Sequence, residues 1–232
     1  MTTIALNLQA VRGRIERAAA ASGRSGADIS LLAVSKAFPA SYIEQAHAAG
    51  QRIFGESYAQ EAVAKITGLA HPGIEWHFIG PIQSNKARLI AEHFHWVHSV
   101  SREKTAARLS AARPRHLPPL DVCIQVNVSG EGSKSGLAPG EEGALAKTIA
   151  TLPGLRLRGL MAIPEPTFDT KLQRTRYALL RRLQQELGAA GYPLDTLSMG
   201  MSDDLEAAVA EGATIVRVGT AIFGNRETLD ST

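Results

Sequence analysis

Short apolar runs alternate along this chain with longer stretches in which apolar residues recur three and four positions apart. Ile4, Leu6, Val11 and Ile15, followed by an alanine run, predict an opening helix over 4–22 that closes at Gly23. The run Ile29–Val34 has the length and composition of a buried strand, and residues 40–49 read as a helix ending at Gly50. The same alternation then repeats. Strands are expected at 52–54, 75–79, 96–98, 122–128, 155–162, 196–198 and 214–218, and helices at 58–67, 85–93, 102–112, 139–151, 168–190 and 203–210.

Regular alternation of strand and helix predicts a parallel sheet. Eight such strands in 232 residues fit an α/β fold of the closed (β/α)8 TIM-barrel type, with one extra N-terminal helix and a single domain over residues 1–232. An open, doubly wound sheet is the alternative, because the pattern does not by itself close the barrel. Hydrophobic content of 44% and charged content of 20% are ordinary for a globular chain and provide a full core.

Charge narrows the possible partners. The net charge of +3 is small, and although the pI is about 9.2 the basic residues are scattered along the chain. The densest group, Arg174, Arg176, Arg181 and Arg182, falls on one helical segment and reads as a solvated face, not a nucleic-acid site. The lone Cys123 lies in an apolar run and excludes an internal disulfide. Met1–Ala10 lacks the charged head and apolar stretch of a signal peptide, and no apolar run approaches membrane-spanning length. A cytoplasmic protein is expected, and, with no coiled-coil seam or swapped arm in the pattern, a monomer.

In a barrel of this kind the chemistry collects at the C-terminal ends of the strands. Lys36 follows the first strand directly, in Ala33-Val34-Ser35-Lys36. A lysine at such a rim is partly desolvated, which lowers an amine's pKa and makes it a nucleophile toward carbonyls. Taken by position alone, a surface lysine closing a strand is the commoner case. The last two strands alter that balance. They end in Ser198-Met199-Gly200-Met201-Ser202-Asp203-Asp204 and Arg217-Val218-Gly219-Thr220, where small and hydroxyl residues let backbone N–H groups approach an anion. A helix cap accounts for Ser202 but not for both turns. Arg217 shares the Gly219 side of the eighth strand, which in a closed barrel neighbours the first, so Arg217 and Lys36 can reach one small molecule. A buried arginine requires an acceptor, either an ordinary carboxylate or a ring nitrogen of a bound cofactor. His77, His93, His95 and His98 lack the matched carboxylate or cysteine set of a metal site. No G-x-S-x-G, G-x-G-x-x-G or G-x-x-x-x-G-K motif is present.

In order along the chain, AVSK (33–36), FGES (54–57), WHFIGPIQSNK (76–86), HSV (98–100), QVN (125–127), KSG (134–136), LRGLMAI (157–163), LSMGMSDD (197–204) and VRVGTAIFG (216–224) closely resemble the pyridoxal-phosphate homeostasis proteins, the YggS/PROSC family. The resemblance spans nearly the whole sequence. It implies a barrel like the N-terminal domain of alanine racemase, with pyridoxal 5′-phosphate held as a Schiff base on Lys36. It further implies phosphate contacts from Ser198, Gly219 and Thr220, backbone help from Met199 and Gly200, Arg217 facing the pyridine nitrogen, and Asn85 lining the pocket. Two positions depart from the family pattern: Ser57 stands where asparagine is usual, and Ser101 where aspartate is usual.

A guanidinium donates and cannot accept, so an arginine opposite the ring nitrogen leaves that nitrogen unprotonated and the ring a weaker electron sink. Alanine racemases add a tyrosine base from a second domain, for which this chain has no room. Tyr42, Tyr58, Tyr177 and Tyr192 all fall in predicted helices or the turn before the seventh strand. The expected function is therefore binding, buffering and delivery of pyridoxal phosphate inside the cell, with transient contact to pyridoxal-phosphate-dependent apoenzymes and no robust catalysis. A racemase-like enzyme, and an aldolase-like barrel whose lysine attacks a sugar ketone, are the alternatives.

Overall fold

The structure, a computed structural model, describes residues 2–69, 71–130 and 135–225. Its first element, α1 (Thr3–Ala21), is capped by Thr2, whose hydroxyl accepts from the Ala5 N–H. Ile4, Leu8, Val11, Ile15 and Ala18 bury one stripe of α1, each large aliphatic residue contributing roughly 2 kcal/mol.

Eight strands follow: β1 (Ser30–Val34), β2 (Ile53–Glu56), β3 (Glu75–Phe78), β4 (Trp96–Val100), β5 (Leu120–Gln125), β6 (Leu155–Met161), β7 (Thr196–Ser198) and β8 (Ile215–Val218). Each pairs in parallel with the next, and β8 pairs with β1, where Leu32 faces Arg217 and Ala33 faces Val218. The sheet is thus a closed barrel, which excludes the open doubly wound alternative. Between the strands lie α2 (Ala40–Ala48), α3 (Ala59–Leu69), α4 (Ala87–His93), α5 (Glu103–Ala112), α6 (Glu142–Ala150), α7 (Thr170–Ala189) and α8 (Leu205–Ala210), and α9 (Thr220–Phe223) follows β8.

Two cores hold the barrel. The larger lies between strands and helices and contains Ile43, Phe54, Phe78, Leu109, Ile149 and Leu180, all essentially solvent-free. The smaller, Trp96, Cys123 and Met161 from β4, β5 and β6, packs inside the barrel, where the Trp96 ring stacks on His77 with centroids 5.3 Å apart. Burial there pushes the Cys123 thiol far up, so it is an inert neutral group.

Element boundaries differ from expectation where pairing, not pattern, sets them. β5 ends at Gln125 instead of 128: buried Val126 still donates to the Met161 carbonyl of β6 but also bridges to Leu137, where the loop folds back. The expected helix over 85–93 begins as a 3-10 turn at Ser84–Lys86. α9 went unread because four residues show no period. Among the described residues no helix is long and apolar enough to cross a membrane.

Candidate cofactor-binding site

A cavity of about 460 Å³ opens at the C-terminal ends of the strands, with Lys36 and Arg217 in its wall. Val34, Ile79 and Ile163 give it an apolar side, and Met201, Ser202, Asp203, Gly219, Thr220 and Ala221 close the other. The lysine after β1 and the two turns after β7 and β8 are therefore brought to one place.

The chain on either side of Lys36 is tethered from below. Ser35 is fully buried and donates from Oγ to Glu56 Oε1 at 2.7 Å, while its carbonyl accepts from Lys65 Nζ at 3.0 Å. Lys65 Nζ also donates to Glu56 Oε1 at 2.9 Å and Glu61 Oε1 at 2.6 Å, and Glu61 Oε1 accepts the Ala37 N–H at 2.9 Å. Ala37 sits at φ +61°, a conformation that costs a non-glycine residue of order 1–3 kcal/mol. This ionic cluster holds that bend, and with it the direction in which half-buried Lys36 leaves the strand. Burial raises the Glu56 carboxyl above the usual range despite the Lys65 charge beside it.

Arg217 is 3% exposed. Its acceptors are Ser198 Oγ and the Ala162 carbonyl, each at 2.8 Å, and among the described residues it makes no ion pair with a carboxylate. Burial lowers its pKa below the usual guanidinium value. Arg217 is thus a buried cation in the cavity wall whose side-chain bonds go to a hydroxyl and a carbonyl.

The turn after β7 divides its groups between sheet and cavity. The Met199 N–H donates to the Ile215 carbonyl, and the Gly200 carbonyl accepts from the Arg217 N–H, so both are committed to β8. The Ser198 hydroxyl is fully buried and bonded to His98 Nδ1 and Arg217, and Ser198 is not among the cavity's lining residues. Gly200 lies at φ +91°, and a Cβ there would come within 2.5 Å of the Ala208 methyl. Met201, Ser202 and Asp203 of the first turn and Gly219 and Thr220 of the second line the cavity together. Asp204 ties the first turn down, accepting from the Met201 N–H and from the Tyr177 hydroxyl at 2.6 Å.

Asn85, in the 3-10 turn after β3, is exposed and is not among the cavity's lining residues. Ser57 follows β2, its carbonyl against Gly80, and Ser101 lines a separate polar cavity over β4 and β5. Lys134 of the KSG segment lies outside the described residues. Sequence reasoning missed Arg14, which reaches from α1 to the cavity and donates from Nη2 to the Ser202 carbonyl at 2.9 Å and to Glu206 at 2.8 Å. An arginine on a helix that precedes the barrel carries no local signal of such a contact.

The fold and the site together define a closed eight-stranded barrel that gathers a rim lysine, a buried arginine and two small-residue turns around one cavity. The chain belongs to the family of the alanine racemase N-terminal domain, whose model matches residues 6–227, and within it to the pyridoxal phosphate homeostasis proteins. It is 61% identical to the pyridoxal phosphate homeostasis protein of Pseudomonas aeruginosa over 98% of this chain and 97% of that one. The protein of that name from Escherichia coli K12 is 54% identical, with 98% of each chain covered. The structure of PipY from Synechococcus elongatus with pyridoxal phosphate bound superposes with a TM-score of 0.84 at 37% identity, over 95% of this chain and all of that one. Alanine racemase from Corynebacterium glutamicum, at 16% identity and a TM-score of 0.71, shares the fold over 60% of its own length.

Proposed function

We propose that this protein binds pyridoxal 5′-phosphate as a Schiff base on Lys36 and serves to buffer the cofactor and deliver it to apoenzymes. The observation that carries this reading is the convergence of Lys36, Arg217, Ser202, Gly219 and Thr220 on one cavity. The donor set matches the cofactor's chemistry: an amine for the aldehyde, a guanidinium for the ring nitrogen, and small hydroxyl-bearing turns for the phosphate dianion. Bound pyridoxal phosphate supplies an aldehyde that condenses with amines, releasing water, and a ring that withdraws electrons.

The protein's own residues perform the holding. The Lys65–Glu56–Glu61 cluster aims Lys36, and Ser198 with Ala162 fixes Arg217. Ser202, Gly219 and Thr220 receive the phosphate, with Ser198, Met199 and Gly200 forming the rigid base of that turn and Asn85 standing at the outer rim. Tyr177, the most buried tyrosine, has its hydroxyl on Asp204, and no tyrosine lines the cavity among the described residues. That supports binding and delivery over racemisation of the kind that uses a tyrosine base opposite the lysine.

The test is a visible spectrum of the purified protein before and after borohydride, followed by peptide mass mapping. A yellow band that reduction bleaches, leaving a pyridoxyl-phosphate mass on Lys36 that Lys36→Ala abolishes, is expected. A protein that forms no adduct after incubation with the cofactor sinks the reading. Turnover of D- or L-alanine by the loaded protein would replace binding with racemase-like catalysis.

A further inference from the structure

Behind Arg217 a line of hydrogen bonds crosses the barrel interior. Arg217 Nη1 donates to Ser198 Oγ at 2.8 Å, Ser198 Oγ lies 2.7 Å from His98 Nδ1, and His98 Nε2 lies 2.8 Å from His77 Nδ1. His77 Nε2 then lies 2.6 Å from Glu75 Oε1, at the opposite end of the barrel, where the carboxylate is 45% exposed. Four of the five residues are essentially solvent-free; only Glu75 meets water.

The direction of this chain follows from valence. The bond to His77 holds the Glu75 carboxyl below the usual range, so it is ionised at neutral pH and can only accept. His77 therefore carries its proton on Nε2 and, being neutral, accepts at Nδ1. His98 must then donate from Nε2 and accept at Nδ1, which obliges the Ser198 hydroxyl to donate to it. Ser198 is left with lone pairs for Arg217 alone. A second proton taken up by His77 at Nδ1 reverses the bonds beyond it. The proton on His98 moves from Nε2 to Nδ1, and Ser198 becomes an acceptor toward both His98 and Arg217. One proton is gained, and the charge rests on His77 beside Glu75.

We propose that Glu75, His77, His98 and Ser198 are positioning residues for Arg217, and that their one-way hydrogen-bond chain couples the arginine's setting in the cavity to the proton state of His77 at the barrel floor. The groups around the two imidazoles allow this. Burial disfavours the charged form of both rings; at His77, Glu75 on β3 and Asp121 on β5 work against that and His95 after α4 adds to it, while at His98 the neighbouring His77 and Arg217 on β8 add to it. Arg158 on β6 lies over the Trp96 ring that stacks on His77, its charge balanced by Asp121 and Asp195. The coupling rests on the reading of the cavity as the pyridoxal-phosphate site; the chain itself does not. By linkage, a ligand that engages Arg217 must shift the proton affinity of His77 in return.

Protein labelled with ¹⁵N-histidine, titrated between pH 8 and 5 by long-range proton–nitrogen spectra, tests both parts. Without ligand, both His77 and His98 are expected as Nε2–H tautomers at pH 7.5, and protonation of His77 is expected to switch His98 to Nδ1–H in the same step. Glu75→Gln, at a half-exposed site, is expected to lower that midpoint by about one pH unit. Pyridoxal phosphate, at a concentration that saturates each protein, is expected to move the wild-type midpoint and to leave the midpoint of His98→Phe in place. His98 as Nδ1–H at pH 7.5, or independent titration of the two rings, overturns the chain. Unchanged midpoints in wild-type protein that has bound the cofactor overturn the coupling. Because the tautomers are read without ligand, failure to bind pyridoxal phosphate would refute the assigned function and not the chain.

Discussion

Lys36 and Arg217 meet across the seam where the barrel closes: Arg217 is paired in register with Leu32 on β1, and Lys36 leaves that same strand four residues later. Both then border one cavity. Among the described residues the arginine makes no ion pair with a carboxylate, and it is held by Ser198 Oγ and the Ala162 carbonyl.

If the free donors of Arg217 serve a bound ring nitrogen, Arg217→Lys should weaken pyridoxal-phosphate binding between about tenfold and a hundredfold. That range is the value of one hydrogen bond from a charged donor, about 1.5–3 kcal/mol. Lysine keeps the charge but loses the planar fork. Absorbance titration measures the change, and an affinity within about twofold of wild type excludes the contact.

The Lys65–Glu56 pair predicts an asymmetric response. Lys65 is 8% and Glu56 0% exposed, so Lys65→Met strands a buried carboxylate and should destabilise the fold by about 3–5 kcal/mol. The double variant Lys65→Met/Glu56→Leu should recover most of that loss in urea denaturation. Equal destabilisation in both would show that the charges were not the cause.

Stability should fall on mild acidification. Burial lowers the pKa of both His77 and His98. A base with a depressed folded-state pKa contributes stability above its unfolded value, about 6.5, and loses it as pH falls toward the folded value. Each such proton is worth up to about 1.4 kcal/mol per pH unit. Glu56, with its raised pKa, acts in the opposite sense, contributing stability that is lost as pH rises through its folded value. Urea midpoints at pH 7.5, 6.5 and 5.5 should decline for wild type and decline less for His98→Gln.

Gly200→Ala should be harmful well beyond a surface change. The residue sits at φ +91°, and the added Cβ would meet the Ala208 methyl at 2.5 Å. Left-handed strain and overpacking together should remove about 2–4 kcal/mol, read as a lowered Tm. Cofactor binding should weaken as well, because Ser202 lies two residues on.

The sequence by itself determined much of this protein. Alternating apolar runs and helical periods specified eight strands and their helices, since each period follows from backbone geometry alone. Lys36 and the turns at 198–204 and 217–220 stood out because strand ends in a barrel face one rim. Tertiary structure decided the rest. Closure between β8 and β1 made one site of residues far apart in sequence, and folding gave the Ser198 side chain Arg217 and His98 as partners. Arg14 from α1, the Lys65 cluster beneath Lys36 and the His77–His98 pair had no local signature. Periodicity records which face of an element a residue occupies, whereas a buried polar group's partner is set by strands and helices distant in sequence that only folding brings within 3 Å.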